Sequence, residues 1–162
     1  MAENMATNNT AANEADREIV ITRVFDAPRE LVFKAWTEPQ HLVHWWGPKG
    51  FTNTVKQIDV RPGGVWRYVM HGPDGTDYEN TIVYNEVVQP ERLVYSHGES
   101  ENDPDQFQVT VTLAEQGTKK THLTMRMLFK SAAARDMVVK EYGAIEGANS
   151  TLDRLEELLS AL

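Results

Sequence analysis

Residues 131–162 read SAAARDMVVKEYGAIEGANSTLDRLEELLSAL. Ser131 is a residue type that caps helix N-termini. Beyond it, Val138, Tyr142, Ile145, Asn149, Leu152, Leu155, Leu159 and Leu162 recur at steps of three or four. That is the period of one helix face. The spacing predicts a single helix over 131–161, about 45 Å long at ~1.5 Å per residue. Such a rod crosses a whole sheet. Gly143 and Gly147 each weaken it by about 1 kcal/mol relative to Ala, and a glycine inside a helix marks close approach to another element or a ligand.

Ahead of this segment the period is two. Phe107, Val109, Val111 and Leu113 alternate with Gln108, Thr110 and Thr112, and Leu123, Met125, Met127 and Phe129 alternate with Thr124, Arg126 and Leu128. Alternation of this kind marks antiparallel strands with one buried and one wet face. Further strands are read over 51–60, 65–70, 77–88 and 93–97. Turn signals separate them: Arg61-Pro62-Gly63-Gly64, His71-Gly72-Pro73-Asp74-Gly75 and Gln89-Pro90-Glu91. Residues 99–105 form a polar loop. A first strand over 17–25 stops at Asp26-Ala27-Pro28, where Asp26 can cap a helix and Pro28 suits its first turn. Leu31, Val32, Ala35 and Trp36 then repeat at helical spacing. A second short helix follows Thr37, with Pro39 in its first turn. The class is α+β, built as one strand, two short helices, six strands and one long helix, in a single domain over 17–162. Residues 1–16, with Met5 as their only large apolar side chain, cannot offset the entropy of ordering and read as a disordered tail.

Bulk chemistry narrows the function classes. The 162 residues are 41% hydrophobic, enough for one core. Net charge is −8, of which Glu3, Glu14 and Asp16 in the tail supply −3. An acidic domain repels phosphate backbones, so no nucleic-acid partner is expected. The chain has no cysteine, which removes disulfides, thiolate metal sites and thiol nucleophiles. No secretory signal and no apolar run of about 20 residues is present. A cytoplasmic protein without a membrane span is expected.

The segment Trp45-Trp46-Gly47-Pro48-Lys49-Gly50-Phe51 sets two tryptophans against a turn. Adjacent side chains diverge by about 100° on a helix. One tryptophan therefore enters the core, while the other lines a cavity, a loop or a contact surface. The sequence leaves open which does so. Exposed aromatics here would offer a homodimer contact.

Large or adaptable side chains at inward positions make up the candidate ligand-binding set: Trp36, Trp45, Trp46, Phe51, Trp66, Tyr68, Met70, Phe107, Met125, Met127, Phe129, Tyr142 and Ile145. Tyr95, His97 and Asn149 would add polar groups to orient a ligand carbonyl or hydroxyl. Dry core packing competes with this reading at each position. A usable pocket needs roughly 300 Å³. For acid–base chemistry the one pairing on offer is His97 with Glu79 or Glu86. His41 and His44, at i and i+3, would suit two metal ligands, but no motif supplies a third. No phosphate loop, nucleophile elbow or HExxH occurs. The expectation is a binding protein without catalytic residues, metal or cofactor.

The element order, together with WWGPKGF, RPGG, QPERLVYS and STLDRLEELL, resembles the single-domain homologues of the activator of the heat-shock protein 90 ATPase. These belong to the helix-grip superfamily of START domains, birch-pollen-type allergens and polyketide cyclases. The resemblance covers residues 17–162. It implies a curved seven-stranded antiparallel sheet gripping the C-terminal helix around an apolar cavity, and a small apolar or amphipathic ligand. The namesake activity belongs to a larger co-chaperone with an added N-terminal domain. Nothing in this sequence corresponds to that domain, so chaperone interaction is not expected. Two alternatives stand beside ligand binding: a cyclase-type enzyme using the same cavity, and a co-chaperone-like protein-binding module.

Overall fold

In the computed structural model, which describes residues 14–162, the alternating segments pair as seven strands. They are β1 (Glu18–Phe25), β2 (Thr52–Ile58), β3 (Val65–His71), β4 (Asp77–Val88), β5 (Arg92–Gly98), β6 (Phe107–Glu115) and β7 (Thr121–Leu128). β2 to β7 follow one another as antiparallel neighbours, and β1 lies on the far side of β7, giving the order β1-β7-β6-β5-β4-β3-β2. The β1–β7 register sets Ile19 opposite Met127 and Ile21 opposite Met125. All four are buried, so the register joins their apolar faces on the core side.

Between β1 and β2 the chain forms α1 (Arg29–Thr37) and α2 (Pro39–Trp45). α1 buries Val32, Phe33, Ala35 and Trp36, and α2 buries Leu42 and Trp45. Pro28, not Asp26, is the residue before α1, and no side chain caps it. Proline's fixed φ already suits a helix start, which leaves the aspartate no capping role.

The C-terminal rod is two helices. α3 (Ala132–Tyr142) and α4 (Ala144–Ala161) meet at Gly143, whose φ of 58° and ψ of 46° are left-handed. That conformation ends helices and is open to glycine at no steric cost. Ser131 caps α3 as expected, accepting from the Ala134 N–H at 3.0 Å. The break divides the apolar stripe. α3 buries no residue, whereas α4 buries Leu152, Leu155 and Leu159. The long C-terminal helix of the fold is thus α4, about 27 Å in length.

Of the expected tail, residues 1–13 lie outside the described residues. Residues 14–16 form one helical turn, and the Glu14 carboxylate stands 3.7 Å from Arg126 on β7. Among the described residues no helix is long and apolar enough to cross a membrane.

Candidate functional site

α2 ends between the two tryptophans. Trp45 closes the helix, and Trp46 is already extended, with φ −69° and ψ 128°. The divergence expected on a helix is therefore cancelled, and both side chains enter the core, with 0% and 8% exposure. Trp45 Nε1–H donates to the Ala35 carbonyl at 2.9 Å. Trp46 Nε1–H donates to the Tyr68 hydroxyl at 2.7 Å. Trp46 meets Trp45 edge-on at 5.3 Å and Trp66 at 5.0 Å. Edge-to-face pairs at such distances are favourable beyond their area burial. Of the aromatics in this segment, the two tryptophans are buried and Phe51 is half-buried.

A space of about 180 Å³ lies under α4. Trp36, Trp45, Trp46, Gly47 and Pro48 close one end, and Met70, Tyr95, His97, Phe107, Val109, Met125 and Met127 form its floor on the sheet. Gly147, Ala148, Thr151 and Leu152 form its roof. It is smaller than the roughly 300 Å³ set out for a usable pocket. An outer groove of about 700 Å³ runs between α3 and the segment after β5, and shares His97 and Phe107 with the inner space.

Nine of the sixteen candidates line the inner space. Phe129 and Tyr142 belong to the outer groove. Phe129 stacks on Phe107 at 4.8 Å, while Tyr142 is 71% exposed. Trp66 and Tyr68 lie beneath Trp46, stacked on each other at 4.3 Å, and so become packing. Phe51 faces Tyr78 at 6.2 Å. Ile145 packs against the core without reaching the space. Asn149 is exposed, its amide donating to the Ile145 carbonyl at 3.1 Å. It lies about 100° around α4 from Ala148, so Asn149 falls off the inner face, although Leu152 of the same stripe lies on it. Gly147 and Ala148 occupy that face, and a Cβ on Gly147 would stand 3.6 Å from Pro48. That is an ordinary van der Waals distance, so a methyl would fit there and the expected close approach does not account for the glycine. Small side chains carry no hydropathy signal, so Ala148 had none.

Arg154, within STLDRLEELL, is not among the sixteen candidates. Its guanidinium donates to the carbonyls of Gly47 at 2.8 Å, His44 at 2.9 Å, Pro48 at 3.2 Å, and Trp46 and Phe51 at 3.3 Å each. One side chain on α4 thereby fixes the loop that walls the inner space. Burial lowers its pKa. The Lys49 N–H adds a second tie to α4 at the Ser150 hydroxyl, 2.9 Å away.

His97 meets neither proposed carboxylate. Tyr68 sits opposite Asn80 in the β3–β4 register, so Asn80 faces inward and Glu79 faces the other side. Glu79 pairs with Lys56 at 3.1 Å, and Glu86 with Arg92 at 2.8 Å. The His97 partners are Asn80 Oδ1 at 2.8 Å and the Tyr68 hydroxyl at 3.3 Å. The acid–base pair of the cyclase-type alternative is therefore not formed. Burial lowers the His97 pKa from 6.5 to about 4. The unfolded chain then takes up a proton between these values that the folded chain refuses, so stability falls as pH drops through that window. Across the whole window this amounts to roughly 3 kcal/mol. Backbone hydrogen bonds hold the Asp74 and Asp103 carboxyls below their usual 3.8, so their contribution is lost at lower pH. Urea unfolding at pH 4.5 and 7 is expected to show a gap that His97→Gln reduces by more than half. An unchanged gap would refute the assignment.

Burial also raises the Tyr95 pKa, and the Trp36 indole opposes that rise in part. The indole N–H lies beside the hydroxyl but out of line. Trp36 Nε1 is sealed from solvent without a partner of good geometry, as is Trp66 Nε1. Among the described residues no group of three or more His, Cys, Asp or Glu side chains is placed to hold a metal ion.

A curved antiparallel sheet with a C-terminal helix laid over an inner space defines an α+β helix-grip domain. The chain belongs to the family described as Activator of Hsp90 ATPase homolog 1-like protein, whose model matches residues 26–160. A crystal structure of a protein from Mycobacterium smegmatis is 30% identical with a TM-score of 0.81, covering 92% of this chain and 94% of that one. A solution structure from Arthrobacter aurescens is 25% identical with a TM-score of 0.82, covering 93% and 90%. A crystal structure from Nitrosomonas europaea is 26% identical with a TM-score of 0.80, covering 91% and 96%. Comparison with curated proteins found no match.

Proposed function

We propose that this protein binds a small apolar or amphipathic molecule between its sheet and α4. The observation that carries this reading is the lining of the inner space: sixteen residues, with no Lys, Arg, Asp or Glu among them. Apolar burial at ~25 cal/mol per Å² supplies the driving force. Met70, Met125 and Met127 suit a wall that adapts to its occupant. The outer groove borders the same His97 and Phe107 and would take the polar end of an amphipathic ligand.

Native mass spectrometry of the purified protein is expected to show a retained small molecule. Thermal-shift screening with lipids, aromatics and polyketides is expected to raise Tm. A ligand at 100 times its Kd adds about 2.7 kcal/mol. No retained mass and no stabilisation by any of these classes would sink the reading.

A further inference from the structure

The inner space holds one polar arrangement that packing leaves unfinished. Tyr95 is 3% exposed and lines the space. The Trp36 indole N–H lies beside its oxygen but out of line, and makes no hydrogen bond. The Tyr95 hydroxyl itself keeps its own proton to give. Among the described residues nothing takes that proton. The Tyr95 oxygen is not among the sealed, unpartnered atoms, so it borders free volume. The walls of the space carry no Lys, Arg, Asp or Glu. A carboxylate or ammonium entering here would lose its hydration with no opposite charge to replace it.

We propose that the inner space selects a compact, uncharged ring compound bearing a carbonyl oxygen, with the Tyr95 hydroxyl as donor to that oxygen and the Trp36 indole behind it. The size class follows from volume: a cavity of about 150 Å³ accepts benzene, and this one is about 180 Å³. A carbonyl oxygen accepts and never donates, which matches the proton left over at Tyr95. The inference rests on the inner space being the ligand site.

Acetophenone and α-methylstyrene test both levels, because they share a shape and differ in C=O against C=CH₂. Titration followed by tryptophan fluorescence gives Kd for each, and methyl-labelled methionine NMR locates them. Met70, Met125 and Met127 line the inner space, while Met137 lines the outer groove. Acetophenone is expected to bind at least as tightly as the hydrocarbon and to shift Met125 and Met127 without Met137. Tyr95→Phe, checked for intact folding by thermal unfolding, is expected to weaken acetophenone by about tenfold and leave α-methylstyrene within about twofold. Equal effects of the substitution on both compounds, or tighter hydrocarbon binding to the unsubstituted protein, would overturn the carbonyl assignment alone. Failure of both compounds to shift the inner methionines would overturn the site as well.

Discussion

Arg154→Leu is expected to destabilise the protein by about 3–5 kcal/mol, more than its place on a helix surface suggests. Leucine keeps part of the stem but takes the guanidinium from five carbonyls between His44 and Phe51, of which Trp46 keeps the Asn53 amide and Pro48 the Phe51 N–H as donors. A hydrogen bond to a charged group contributes about 1.5–3 kcal/mol. The five share one guanidinium and two of its nitrogens, so their sum is far below five times that figure. Arg154→Lys is expected to recover less than half of the loss, because an ammonium is a point donor and cannot span the loop as the planar fork does. Urea unfolding measures the stability change. Hydrogen exchange should rise first over residues 47–51, which Arg154 holds against α4. A loss below about 1 kcal/mol, with exchange in that loop unchanged, would show that Arg154 does not position it.

Trp46→Ala is expected to cost about 3–5 kcal/mol, the range for emptying a large aromatic from a core. The ring touches Trp36, Trp45, Trp66, Tyr68 and Tyr95. Its N–H is also the donor to the buried Tyr68 hydroxyl. Removing it joins its own volume to the inner space. The stability loss should therefore come with a gain in capacity: bicyclic aromatics such as naphthalene are expected to raise the Tm of the variant more than that of the unsubstituted protein. Trp46→Phe separates the two effects, since it keeps a ring and loses the donor. It is expected to cost about 1–3 kcal/mol, the penalty of an under-satisfied buried hydroxyl plus a smaller void. If Trp46→Ala accepts no larger ligand, the void has collapsed, and Trp46 is not a wall of the binding space.

Local physics made much of the chain legible. Strand alternation depends on the two-residue period of the pleat, and turn signals depend on the fixed φ of proline and the freedom of glycine. Ser131 capped the last helical region as a hydroxyl at that position does. Other inferences failed where two local signals competed. The three-to-four stripe ran through Gly143, and the left-handed glycine won over the periodicity. Asp26 lost its capping role to the proline two residues on. Trp45 and Trp46 diverge only while the helix continues, and it stops between them.

What the amino-acid order determined alone was the list of elements and the apolar face of each strand, because both follow from contacts a few residues apart. The tertiary structure decided which of those faces leave a space, and it placed Asn149 outside that space and Ala148 within it. It also turned Glu79 away from His97 by one step of strand register. Arg154 belongs to the same group. Its partners are backbone carbonyls, which every residue carries, so no side-chain pattern could announce a contact made across more than a hundred positions.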